Sequence, residues 1–90
     1  MKAKDLLSKV GITIDEDFEV HDIQLNSRAI QENDIFIALK GSLADGHDYI
    51  DAAIKQGAKL IISQREVEGI NTIVCADAYH IMGELAYYFY

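Results

Sequence analysis

Ninety residues suit one domain with a modest core, and a chain that is half apolar and a quarter charged is globular rather than disordered. Fifteen Asp and Glu against eight Lys and Arg give a net charge of −7, which argues against a reader of the nucleic-acid backbone, whose grip needs a basic stripe. One anionic small molecule remains possible, because a few backbone N–H groups hold a diphosphate at any net charge. A single cysteine, Cys75, leaves no internal disulfide and reads as a buried structural thiol. No run approaches the roughly 20 apolar residues of a membrane span. The start is not a secretory signal, so the cytoplasm is the default compartment.

In chain order, Ala3–Val10 predicts a short helix with Leu6, Leu7 and Val10 on one face and Gly11 at its end. Residues 12–19 are acidic and irregular. Val20–Leu25 predicts a strand, with Val20 out of phase with Ile23 and Leu25. After a polar connection, the apolar run Ile35–Leu39 suits a strand covered on both faces. A loop with two glycines, Gly41–His47, leads into a helix over Asp48–Gln56. Asp48 lies at its cap or first turn, Tyr49, Ile50, Ala53 and Ile54 form its apolar face, and Gly57 ends it. Leu60–Ser63 and Thr72–Cys75 predict two more strands. Asp77 then caps a helix with Ile81, Met82, Leu85, Ala86 and Phe89 on one face. The aromatic end Tyr87–Tyr90 reads as the cut end of a longer chain. The order predicts an α/β domain: a small sheet of about five mostly parallel or mixed strands, flanked by helices.

Ligands of such sheets gather beyond the C-terminal strand ends, which directs attention to two loops. Leu25-Asn26-Ser27-Arg28 offers an amide, a hydroxyl and a guanidinium, groups that bond a nucleobase edge or an anion. A plain turn, with Asn26 and Ser27 bonded to local backbone and Arg28 paired to a carboxylate, is the structural alternative. Gly41-Ser42-Leu43-Ala44-Asp45-Gly46-His47 lets backbone approach a ligand closely and adds the helix N-terminus behind it. Its structural alternative is a capped strand-to-helix connection.

Other chemistry is not legible. The Walker pattern G-x-x-x-x-G-K-[ST] is absent from the chain. His21, His47 and His80 lack the spacing of a metal site, and His47 reads as a surface loop histidine that could lie near a diphosphate. The run Asp15, Glu16, Asp17 and Glu19 lacks calcium-loop spacing and reads as a solvated face. No residue is assigned to catalysis or to a metal.

Taken together, the two loops and their strands resemble the N-terminal domain of Mur ligases, over about 40 residues from Ile23 to Ser63. The family pattern of an acid-Ser-Arg turn, a dlFvAlkG strand, a DGhdFi helix start and a GA pair is matched by four segments. These are Asn26-Ser27-Arg28, Asp34–Gly41, Asp45-Gly46-His47-Asp48-Tyr49-Ile50 and Gly57-Ala58. Asn26 replaces the usual Asp but keeps an acceptor oxygen. Glu32-Asn33 replaces a common Pro-Gly, and Asn tolerates the left-handed geometry of that turn.

The resemblance implies a function: binding the UDP end of a UDP-N-acetylmuramoyl-peptide substrate in peptidoglycan biosynthesis. The contacts implied are Leu25 and Ser27, with Ser42, Leu43 and Ala44 from the glycine loop, and then Asn26, Arg28, Gly46 and His47. The whole ligase would use ATP and magnesium through an acyl phosphate, with the ATP phosphate loop in a central domain and selection of the amino acid helped by a C-terminal domain, both outside these 90 residues. This segment alone would not catalyse and would hold no cofactor. The short GSLADG loop and Leu6-Leu7 helix are closer to the MurE type, which adds diaminopimelate or L-lysine, than to the MurF type, which adds D-alanyl-D-alanine. A stand-alone nucleotide-binding module and a pure interaction domain are the competing readings. No nucleic-acid or membrane partner is expected.

Overall fold

A computed structural model describes residues 1–41 and 45–90. Its sheet has four strands in the sequential order β1 (Ile23–Gln24), β2 (Ile35–Ala38), β3 (Leu60–Ser63) and β4 (Ile73–Val74), all parallel. The architecture is the expected α/β sheet flanked by helices, with four strands among the described residues. Three α-helices flank it: α1 (Ala3–Ser8), α2 (Ile50–Lys55) and α3 (Ala78–Phe89).

Two-residue alternation along β2 divides the core. Ile35 and Ile37 point to one face, where Ile62 joins them under Leu6 and Leu7 of α1 and Leu85 of α3. Phe36 and Ala38 point to the other, against Ile50 and Ala53 of α2 and Ile61 of β3. All four β2 side chains are buried, as a strand covered on both faces requires. Ile30, Val67 and Ile70, from the links between β1 and β2 and between β3 and β4, share the α2 face. The connections between successive strands thus run over one side, while α1 and α3 seal the other.

Several expectations need correction. The first strand shrinks from Val20–Leu25 to Ile23–Gln24. Val20 is buried but belongs to the N-terminal arm: its N–H donates to the Met1 carbonyl, and Glu19 bridges Lys2. That pairing explains why Val20 is out of phase. Leu25 is half exposed. The predicted helix 48–56 is preceded by a 3-10 turn over Gly46–Tyr49, which Asp45 caps and in whose first turn Asp48 lies, the second of its two expected places. The tighter turn rotates the phase of α2, so Ile50 and Ala53 are buried while Tyr49 and Ile54 stay exposed. The Asp77 side chain makes no capping bond to α3; its carbonyl accepts from the Ile81 N–H instead. Cys75 is only half buried, and desolvation pushes its thiol pKa up.

Gly57, two residues beyond α2, sits at φ 114°, and a Cβ there would lie 2.8 Å from the Glu32 Cα. Both the backbone geometry and the close approach require glycine. Asn33, in the neighbouring turn, adopts φ 68°, the left-handed geometry expected of an Asn standing for Gly.

Candidate functional site

Because all four strands run the same way, their C-terminal ends open on one edge of the sheet. Asn26 shapes the loop after β1. Its Oδ1 accepts the Arg28 N–H at 2.9 Å and its carbonyl accepts the Ala29 N–H at 3.0 Å, closing a 3-10 turn over Ser27–Ala29. The amide of Gln56, at the end of α2, donates to the Ser27 carbonyl and ties this turn to the helix. Asn26 is therefore committed to the backbone, as the turn reading anticipated. Among the described residues, no hydrogen bond is found for the Ser27 hydroxyl.

The loop after β2 returns close to its own start. Gly46 N–H donates to the Leu39 carbonyl at 2.8 Å, and Lys40 and Asp45 form an antiparallel bridge. A Cβ on Gly46 would stand 2.8 Å from the Leu39 nitrogen and 2.9 Å from its oxygen. The second glycine is thus explained by backbone packing against the β2 exit.

His47 is not the surface residue expected. It is 5% exposed, with Nδ1 at 2.5 Å from Asp45 Oδ1 and Nε2 accepting the Gln64 N–H at 3.0 Å. Arg65 reaches in from the β3 exit to Asp45 Oδ2 at 3.1 Å. Hydrogen bonds from the His47 backbone and ring, then from Arg65, lower the Asp45 carboxyl to about 2. A carboxyl depressed on folding stabilises fully above its unfolded value of 3.8 and loses that contribution as pH falls through about 2. We expect the amide resonances of Asp45–His47 to shift between about pH 4 and pH 2, ahead of acid unfolding of the sheet. Amide spectra recorded through that range, with Asp45→Asn flat over it, check this; the same titration in both proteins would refute it.

The two loops meet. Leu25, Asn26, Ser27, Arg28, Phe36, Leu39, Gly41, Gly46 and Tyr49 line one hollow of about 360 Å³. Of the residues singled out in the sequence, Leu25, Asn26, Ser27, Arg28, Gly41 and Gly46 come together here, whereas His47 is buried and does not line the hollow. Ser42, Leu43 and Ala44 lie outside the described residues. Phe36, Leu39 and Tyr49 were missed as lining residues. Strand alternation could have placed Phe36 on the floor, but the 3-10 turn that exposes Tyr49 has no sequence signal of its own. A larger hollow of about 470 Å³ lies at the opposite edge, lined by Asp15, Glu16, Lys59 and Asn71 among others. Its paired carboxylates suit an anion poorly, and it is remote from both loops, so the smaller hollow is the better candidate. No group of three or more metal-ligating side chains is present among the described residues, and no helix there is long and apolar enough to cross a membrane.

The family described as Mur ligase family, catalytic domain, matches residues 19–89. The chain belongs to the Mur ligase family. It is 40% identical over 85 residues to the UDP-N-acetylmuramoyl-L-alanyl-D-glutamate--2,6-diaminopimelate ligase of Fusobacterium nucleatum, covering 91% of this chain and 18% of that one. A solved structure of a UDP-N-acetylmuramoyl-L-alanyl-D-glutamate--2,6-diaminopimelate ligase superposes with a TM-score of 0.73 at 28% identity, over 94% of this chain and 18% of that one. The MurF ligase of Thermotoga maritima, solved in complex with ADP, gives 0.67 at 35% identity over 72% of this chain and 16% of that one. This Mur ligase segment thus spans about a fifth of the length of the curated relatives it matches.

Proposed function

We propose that this chain is the N-terminal, substrate-binding domain of an ATP-dependent cytoplasmic ligase of peptidoglycan synthesis. The ligase would add 2,6-diaminopimelate or L-lysine to UDP-N-acetylmuramoyl-L-alanyl-D-glutamate, and this domain would hold the UDP end. One observation carries the reading: the turn after β1 and the glycines of the loop after β2 wall a single hollow at the C-terminal edge of the sheet. Its volume falls within the roughly 300–1,000 Å³ of small-molecule sites, and it combines an apolar floor at Phe36 and Leu39 with polar groups at Ser27 and Arg28.

Ser27 contributes its hydroxyl to the nucleotide end, and Leu25 an apolar contact to the base. Ser42, Leu43 and Ala44 contribute backbone groups from the loop between the two glycines, with Asn26, Arg28 and Gly46 shaping the walls. In this reading ATP and magnesium, with the amide-bond chemistry, belong to the rest of the ligase, and this domain's share is to orient the substrate's far end; the sequence carries no Walker pattern. Likeness to the Thermotoga maritima MurF ligase supports a second reading, the same domain of a D-alanyl-D-alanine-adding enzyme. Both readings use the same hollow, because both substrates carry UDP.

Titrating the chain with UDP-N-acetylmuramoyl-L-alanyl-D-glutamate should move amide resonances of residues 25–28 and 41–47 and leave those around Asp15 and Asn71 still. Ser27→Ala should weaken that binding by about 0.5–1.5 kcal/mol, the worth of one neutral hydrogen bond. Shifts centred on the opposite edge, or none at millimolar ligand, would defeat the proposal.

A further inference from the structure

We infer that Gln64 and Arg65, at the exit of β3, are positioning residues that clamp the glycine-loop wall of the hollow at three points, Lys40, Asp45 and the buried ring of His47. The link to binding rests on the uridine diphosphate reading above, whereas the clamp itself rests on geometry alone.

Gln64 holds the loop at two points. Its Oε1 accepts the Lys40 N–H at 2.8 Å, where the chain leaves β2, and its backbone N–H donates to His47 Nε2 at 3.0 Å, where the chain enters the 3-10 turn. Arg65 adds a third point at Asp45 Oδ2. Gly41 and Gly46, which face the hollow, lie between or beside these ties. Neither Gln64 nor Arg65 lines the hollow, so their influence on a ligand passes through the loop. Strand β3 itself ends at Ser63, one residue before Gln64.

The protonation of His47 follows from its partners. A backbone N–H can only donate, so Nε2 must carry a lone pair and the ring proton sits on Nδ1, donated to the Asp45 carboxylate. Arg65 Nη1, 2.9 Å from the same Nδ1, then has no acceptor there, and the guanidinium bonds through Asp45 instead. The ring is a one-way connector, accepting from the β3 exit and donating to the loop.

The test uses Gln64→Ala and Arg65→Gln, with Gln64→Glu as the conservative variant that keeps an acceptor for Lys40. The wild-type His47 ring should show the Nδ1–H tautomer in long-range nitrogen–proton spectra. Each disruptive variant should weaken UDP-N-acetylmuramoyl-L-alanyl-D-glutamate binding about two- to tenfold, the range of one lost hydrogen bond. Exchange of the Gly46 and His47 amides should accelerate while that of Ile35–Ala38 and Leu60–Ser63 stays fixed, and Gln64→Glu should restore affinity. Unchanged affinity in both variants, or a ring proton on Nε2, overturns the clamp. A wild-type chain that fails to bind the UDP sugar removes the uridine reading instead; the tautomer and the amide exchange then still decide the clamp.

Discussion

Phe36→Ala is expected to cost about 3–5 kcal/mol of folding stability, the usual loss on deleting a buried aromatic ring. Phe36 is 1% exposed at the centre of β2 and packs among Ile30, Ile50, Ala53 and Ile61. With Ala38, that cluster forms the buried contact between the sheet and α2 among the described residues, and Phe36 is its largest side chain. Domains of this kind hold about 5–15 kcal/mol in total, so the variant should be mostly unfolded at the wild-type thermal midpoint. Urea unfolding should show a lower midpoint with an unchanged slope. Phe36 is also the floor of the hollow, so the residual folded protein should bind a UDP sugar less well. Phe36→Leu, closer in volume, should cost less than half as much. A loss below about 1 kcal/mol for Phe36→Ala, within the range of surface substitutions, would mean that the ring does not join the sheet to α2.

Gly46→Ala is expected to be the most damaging single-methyl change at the proposed site. The added Cβ would meet the Leu39 nitrogen at 2.8 Å and its oxygen at 2.9 Å. These are backbone atoms of the β2 exit and cannot rotate away. The loop must move instead, which threatens the Gly46–Leu39 hydrogen bond. Overpacking of this kind costs about 1–3 kcal/mol, and the lost bond about 1 kcal/mol more. Gly83→Ala is the natural control, since no atom lies within 4 Å of a Cβ there and the position is inside α3. It should stabilise by about 0.5–1 kcal/mol through helix propensity. Thermal unfolding and UDP-sugar titration of the pair provide the measurement. If Gly46→Ala unfolds and binds like the wild type, the loop does not pass so near β2.

The amino-acid sequence alone determined the alternation of strands and helices, the doubly buried β2, the glycine after α2 and the two strand-end loops. These are local properties: a four-residue apolar run, a β-turn Asn or a helix-ending Gly carries its signal within a few neighbouring residues. It also carried the family resemblance, because the order and spacing of the turn, strand and helix start lie in one continuous stretch. Tertiary structure alone decided the rest. Val20 joined the N-terminal arm because Met1 and Lys2 pair beside it. The 3-10 turn at Gly46–Tyr49 exposed Tyr49 and Ile54 by shifting the helical phase. His47 became buried because Gln64, 17 residues further along the chain, supplies a donor to its Nε2, while Arg65, one residue beyond, holds the Asp45 carboxylate that accepts from its Nδ1. Burial of a polar ring depends on groups that arrive from another strand, and no window of the sequence contains both.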